Sequence, residues 1–128
     1  MAFAKSFQEL EVWKLGRELR RQLYVIAKSL PAHERYNLAA QIKAGALSLT
    51  SNIAEGFGRY HYKENVQCCR IARGSACELM DHLLTCLDEG YIHSTRHEQL
   101  DNDLRLFLRT LNASIKAIGP TGASSLRE

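Results

Sequence analysis

The chain has 128 residues, 45% hydrophobic and 24% charged, with two prolines and eight glycines. That is the make-up of one compact domain whose core needs no disulfide or metal staple, and it excludes a two-domain chain. The formal charge is +3, but residues 1–63 hold 10 Lys and Arg against 5 Asp and Glu, while residues 64–128 hold 7 against 9; a basic first half permits contact with nucleic acid or an acidic partner without marking a dedicated basic binder.

The first 13 residues meet Glu9 and Glu11 before any sustained apolar run, unlike a secretory signal. No stretch approaches the roughly 18 to 20 apolar residues of a membrane span. A cytoplasmic protein with no membrane partner is expected.

Over residues 7–30, Val12, Leu15, Gly16, Leu19, Leu23, Ile26 and Leu30 recur at three- and four-residue steps, which predicts an amphipathic helix. Pro31 stops it, because proline forces the preceding residue out of the helical region. A second helix is predicted from His33 or Glu34 to Gly56, with Leu38, Ile42, Gly45, Leu49 and Ile53 on one side. Nine of the 19 residues from Tyr36 to Ala54 are Ala, Gly, Ser or Thr, and the only charge is Lys43. Small flanks let backbones approach closely, and the lack of charge points to burial against more than the helix's own bundle, most simply another subunit.

Residues 57–62 read as a glycine-containing connection, followed by a third helix over about residues 63–89 with Cys69, Ala72, Ala76, Leu79, Leu83 and Leu87 aligned. Gly90 is a natural C-terminal stop. Thr95 and Glu98 match a capping box, and Leu100, Leu104, Phe107, Leu108, Leu111, Ile115 and Ile118 make a fourth stripe ended by Gly119 and Pro120. Long helices with short connections predict an all-α, antiparallel up-down-up-down four-helix bundle over residues 1–118, with residues 119–128 a disordered tail.

The motifs of enzymatic sites are missing. None of the five histidines follows Glu at the Glu-x-x-His spacing of di-iron bundles, and neither a P-loop nor a GxSxG elbow occurs. Cys68, Cys69, Cys77 and Cys86 lack zinc spacing, and along one helix Cys68 and Cys86 stand roughly 27 Å apart. They read as free thiols in a reducing compartment. No catalytic residue, metal or cofactor is therefore expected.

Three groups of polar residues are candidates for other work. Gln41, Ser48, Asn52 and Glu55 border the apolar stripe of the second helix; they form either a ligand pocket or a buried hydrogen-bonded seam in which Glu55 pairs with Arg59 or Arg73 and Ser75 faces the second helix, and a bundle this small favours the seam. On the first helix, Lys14, Arg17, Arg20, Arg21 and Lys28 lie outside the core stripe beside Trp13 and Tyr24. Basic groups neutralise phosphates and aromatic rings stack on bases, but Trp, Tyr and Arg also anchor protein interfaces. Trp13 and Tyr24 are assigned to packing or subunit contact. The Lys and Arg residues, with Lys43, Arg59 and Lys63, are assigned to nucleic acid.

Several local runs resemble the bacterial four-helix bundle family of 23S rRNA intervening-sequence proteins, also called S23 ribosomal proteins. The resemblance spans about residues 7 to 118 and is carried by Leu10, Val12 and Trp13, by Gln41 and Ser48, by Asn52 to Gly56 with Arg59, by Ala72 to Ser75 with Glu78 and Leu79, and by Gly90, Tyr91 and Ile92. It implies a homo-oligomer, a pentameric ring of bundles, and a link to RNA, because such coding sequences lie within intervening segments of ribosomal RNA genes. A similar bundle, the accessory protein of diversity-generating retroelements, forms a basic pentamer that engages nucleic acid and a reverse transcriptase. The chain departs from the family pattern at Lys43 and Ala44, where two adjacent basic residues are common, and at Asn65 and Cys68, where aromatics are frequent.

The expectation is a non-enzymatic, self-associating bundle that binds RNA or DNA through the basic residues of its first half. A protein-assembly scaffold without nucleic acid is the alternative, and a small-molecule or metal enzyme built across helices is the third.

Overall fold

The structure is a computed structural model and describes residues 4–118. Four helices, α1 (Glu11–Ser29), α2 (Leu38–Gly58), α3 (Tyr62–Asp88) and α4 (Ser94–Ala117), pack together, with short 3-10 turns at Phe7–Glu9 and Ala32–Glu34. Among the described residues there is no strand, and no helix is long and apolar enough to cross a membrane. The end of the fourth helix at Gly119 and Pro120 and the tail lie outside the described residues.

Contacts between neighbouring helices run in opposed register. A side chain at Gly16 of α1 would meet Thr50 of α2, whereas Lys28 shares a hollow with Ala39 and Lys43. Along α2 and α3, Gly45 faces Leu79, Ser48 faces Ser75 and Gly56 faces Asn65 and Cys68. Gly16 also faces Phe107 of α4, while Gln22 accepts from Arg96 and Gln99. This is the pairing of antiparallel neighbours around a bundle.

The apolar stripes meet on the axis. Leu23, Ile42, Leu49, Leu79, Leu83, Leu100, Leu104, Phe107 and Leu111 are fully buried, each contributing about 1.5–3 kcal/mol by leaving water. Leu15, Leu30, Leu108 and Ile115 sit at the edge of this core, partly buried. Cys68, Cys69 and Cys86 are buried free thiols and Cys77 is exposed.

Helix ends depart from the sequence pattern in four places. The first helix, expected from residue 7, begins at Glu11, because Ser6 caps a separate 3-10 turn over Phe7–Glu9 and Leu10 is extended at φ −72, ψ 130. Pro31 does end α1, leaving Leu30 extended at φ −69, ψ 154. The helix expected from His33 or Glu34 instead begins at Leu38, because Glu34 N–H bonds to Pro31 C=O and Arg35 N–H to Ala32 C=O, closing a separate 3-10 turn. The phenol of Tyr91 also donates to the Glu34 carboxylate at 2.8 Å, and His33 Nε2 lies 3.2 Å from the same hydroxyl, so the connection is strapped to the α3–α4 corner. The Thr95 and Glu98 capping box does not form: α4 starts at Ser94 with His93 as its cap, which places Thr95 inside the first turn. Finally, α2 continues to Gly58, so only Arg59 to His61 join it to α3, with Tyr60 at φ 59 turning the chain.

Gly90 adopts φ 73, a conformation open to glycine, and lets Tyr91 N–H reach back to Cys86 C=O at 2.8 Å. That bond closes the end of α3 and positions the Tyr91 strap.

The α2–α3 pair is the closest-packed seam, and two glycines make it so. A Cβ at Gly56 would sit 2.6 Å from Asn65 Oδ1, the end of a side chain, and 3.0 Å from Cys68 Cβ and 3.2 Å from the Asn65 carbonyl oxygen, two atoms fixed to the α3 backbone that cannot withdraw. One at Gly45 would sit 2.9 Å from Leu79 Cδ2, the end of a side chain. Gly74 of α3 has nothing within 4 Å of that position. Gly56→Ala is therefore expected to destabilise the fold by about 1–3 kcal/mol, whereas Gly74→Ala stabilises it by about 0.5–1 kcal/mol through helix propensity. Urea denaturation of the two variants measures both, and equal effects would refute the packing account.

Burial pushes the Cys69 and Cys86 thiols up to about 11 from 9.0. The unfolded chain releases these protons near pH 9 while the fold holds them, so their stabilising effect is intact below pH 9 and is lost as pH rises to about 11. The urea midpoint should fall across that window, and fall less steeply in a Cys69→Ala, Cys86→Ala double variant.

Candidate functional site

The face of α1 that turns away from the core toward α2 carries Trp13, Arg17, Arg20, Tyr24 and Lys28, and each owes its place to helical spacing from the buried Val12, Leu19, Leu23 and Ile26. Trp13 and Tyr24 are half-buried against the core. The indole meets Phe7 edge-on at 5.2 Å, and the Arg17 guanidinium lies 5.9 Å from its ring centre. Trp13 is thereby held from below by Phe7 and carries a cation above, a site where an aromatic surface and a positive charge are presented together.

Arg20 is partly buried, and its Nη1 donates to Thr50 Oγ1 of α2 at 2.8 Å. Its partner is a neutral hydroxyl, so the positive charge is positioned without being cancelled. Among the described residues, no carboxylate lies in ion-pair range of Arg17, Arg20, Lys28, Arg35 or Lys43. Lys14 and Arg21 stand further round the helix, beside Glu11 at 4.0 Å and Glu18 at 3.8 Å; these exposed pairs are loose and hold their charges weakly.

Two shallow hollows lie along this side. One, of about 320 Å³, is bounded by Gln8, Trp13, Lys14, Arg17, Glu18 and Arg21. The other, of about 360 Å³, lies where α1 ends and α2 begins, bounded by Ala27, Lys28, Leu30, Pro31, Ala32, Arg35, Ala39 and Lys43. Arg35 is absent from the residues that the sequence pattern picks out. Helical spacing assigns it no face, because it lies in the connection, and only the 3-10 turn and the Tyr91 strap bring it beside Lys28 and Lys43.

The other basic candidates are differently placed. Arg59 donates to Glu55 at 2.6 Å and lies 3.5 Å from Glu64. The hydrogen bond to Glu55, then the charges of Glu55 and Glu64, raise its pKa above the ordinary value. Its charge is already committed. Lys63 is exposed on the first turn of α3, beside the stacked rings of His61 and Tyr62.

The polar seam is shorter than the six residues that the pattern groups together. Ser48 and Ser75 hydroxyls meet at 2.7 Å, and the Asn52 amide donates to Ser48 Oγ at 2.8 Å and to its carbonyl at 3.0 Å. These three residues close one another between α2 and α3. Gln41 is exposed, Glu55 turns out to Arg59, and Arg73 reaches α4, donating to Asn112 at 3.1 Å. The seam joins α2 to α3.

The outward side of α2 shows Ala40, Ala44, Leu47 and Ser51 to solvent, with Leu47 49% exposed and, on the adjoining flank of α3, Ile71 47% exposed. No charge interrupts α2 there before Glu55. Among the described residues no group of three or more His, Cys, Asp and Glu is arranged to hold a metal ion.

Residues 8–113 match the model of the 23S rRNA-intervening sequence protein family, and the chain belongs to that family. No curated protein matches the chain.

Proposed function

We propose that this member of the family is a non-enzymatic, self-assembling bundle of the cytoplasm that binds single-stranded RNA or DNA along the α1–α2 side. The observation that carries this reading is the row of cations without carboxylate partners: Arg17, Arg20, Lys28, Arg35 and Lys43. Each has shed or never met an internal counter-charge, so a phosphate chain meets them without first displacing a carboxylate. Trp13, with Arg17 above it, supplies a stacking surface of the type single strands use.

Assembly rests on α2. Its outward Ala40, Ala44, Leu47 and Ser51 expose an uncharged, small-residue face that a copy can approach closely; in a closed ring this face meets a second, different patch of the neighbouring subunit. The family resemblance supplies the ring of five. Buried free thiols at Cys68, Cys69 and Cys86 fit a reducing compartment.

Binding to a fluorescent single-stranded oligonucleotide should weaken with salt, with a log–log slope of about −0.7 per phosphate neutralised. Arg17→Gln should lower that slope by about one such step, whereas Arg59→Gln leaves it unchanged, because the Arg59 charge is held by Glu55 and Glu64. A flat salt response would turn the surface over to a protein partner.

Light scattering on the purified protein tests assembly separately. The expected mass is a multiple of the 14.5 kDa chain, reduced by Leu47→Lys; a single 14.5 kDa species at micromolar concentration would overturn self-association.

A further inference from the structure

The two hollows on the α1–α2 side differ in charge. In the one beside Trp13, the cations Lys14, Arg17 and Arg21 share the wall with Glu18, and Arg21 leans toward that carboxylate. In the one at the end of α1, Lys28 comes from the last turn of α1, Arg35 from the connection and Lys43 from α2. Three separate elements place three basic residues around a single space of about 360 Å³, and no acidic residue is on its wall.

The carboxylate nearest in sequence is accounted for. Glu34 precedes Arg35, but its Oε2 accepts from the Tyr91 hydroxyl at 2.8 Å and its Oε1 faces the Asn37 amide at 3.4 Å. It is engaged at the α3–α4 corner and is not on the wall of the hollow. The Arg35 guanidinium lies 5.6 Å from the Tyr36 ring centre, which restricts its orientation. Pro31 and Ala39 contribute apolar wall.

Cations strung along a helix suit phosphodiesters, each carrying one charge. Three cations converging on one space suit a group of higher charge density, and a phosphate monoester carries about −1.5 to −2 at neutral pH. We propose that the hollow ringed by Lys28, Arg35 and Lys43 is a seat for a phosphate monoester, and that the nucleic acid of the preceding reading is held here by a phosphorylated end. The strand then runs back along α1 past Arg20 to Arg17, 11 residues and about 16 Å away. The polymer part of this inference rests on the proposed function; the phosphate seat does not.

The test uses the full chain and three labelled single-stranded oligonucleotides of one sequence, carrying hydroxyls at both ends, a 5′-phosphate or a 3′-phosphate. One phosphorylated form is expected to bind at least about tenfold tighter than the hydroxyl form, as for about 1.4 kcal/mol. A Lys28→Gln, Arg35→Gln, Lys43→Gln variant with unchanged helical circular dichroism should lose that advantage, whereas Arg17→Gln weakens all three forms and keeps it. Equal binding of the three forms would overturn the monoester seat while leaving the proposed function standing. If no oligonucleotide binds in low salt, the proposed function fails, and calorimetric titration with inorganic pyrophosphate decides the seat alone. Saturable heat that the triple variant loses assigns the hollow to a free phosphate compound; absence of heat overturns it.

Discussion

The close approach of α2 to α3 is the constraint on which the rest of the bundle depends. Gly56 brings the α2 backbone against Asn65 and Cys68, and Gly45 makes room for Leu79. Such proximity leaves no space for long polar side chains, so the polar groups that remain are short and satisfy one another, as Ser48, Asn52 and Ser75 do. With that pair closed, the large residues are displaced to the axis, where Phe107, Leu23 and Leu104 fill the space that the small residues vacate. The α1–α4 side is held differently, by Arg96 and Gln99 reaching Gln22.

The same economy of side chains on α2 shapes its outer surface. A helix whose inner flanks are Gly, Ser and Ala, and whose outer side is Ala40, Ala44, Leu47 and Ser51, has little to offer water on any side. Its sole Lys43 stands on the α1 side, where it joins the cations of α1 and leaves the outer face uncharged. Separation of an apolar assembly face from a cationic face within two adjacent helices is the physical feature from which both parts of the proposed function arise.

Charge balance across the molecule is set by who meets whom. At the α2–α3 corner, Glu55 and Glu64 neutralise Arg59, and on α4 Asp101 neutralises Arg105. At the opposite end, Tyr91 claims Glu34, and the shared hydrogen bond pushes the phenol up to about 12. A neutral donor thus satisfies this carboxylate, which makes no ion pair among the described residues. The family match over residues 8–113 covers all of these corners.

Much of this was legible in the residues. Periodicity placed four helices because a buried face must recur every 3.6 residues, Pro31 and Gly90 marked two ends because their backbone preferences are local, and the chain's membership of its family could be read from short runs such as Asn52 to Gly56. The basic flank of α1 followed from the same spacing. The pairing of Glu55 with Arg59 was open to the same reading, being four residues apart at the end of α2. What depended on residues distant in sequence was hidden: that Arg73 goes to Asn112 rather than to the seam, and that Arg35 joins Lys28 and Lys43 around one hollow. A sequence determines which side of a helix each charge leaves from, since that is fixed by 100° per residue, and with it the local pairs such as Glu55 with Arg59; which polar groups of different helices meet, as Arg20 meets Thr50 and Arg73 meets Asn112, is decided only when packing brings those helices within a few ångströms.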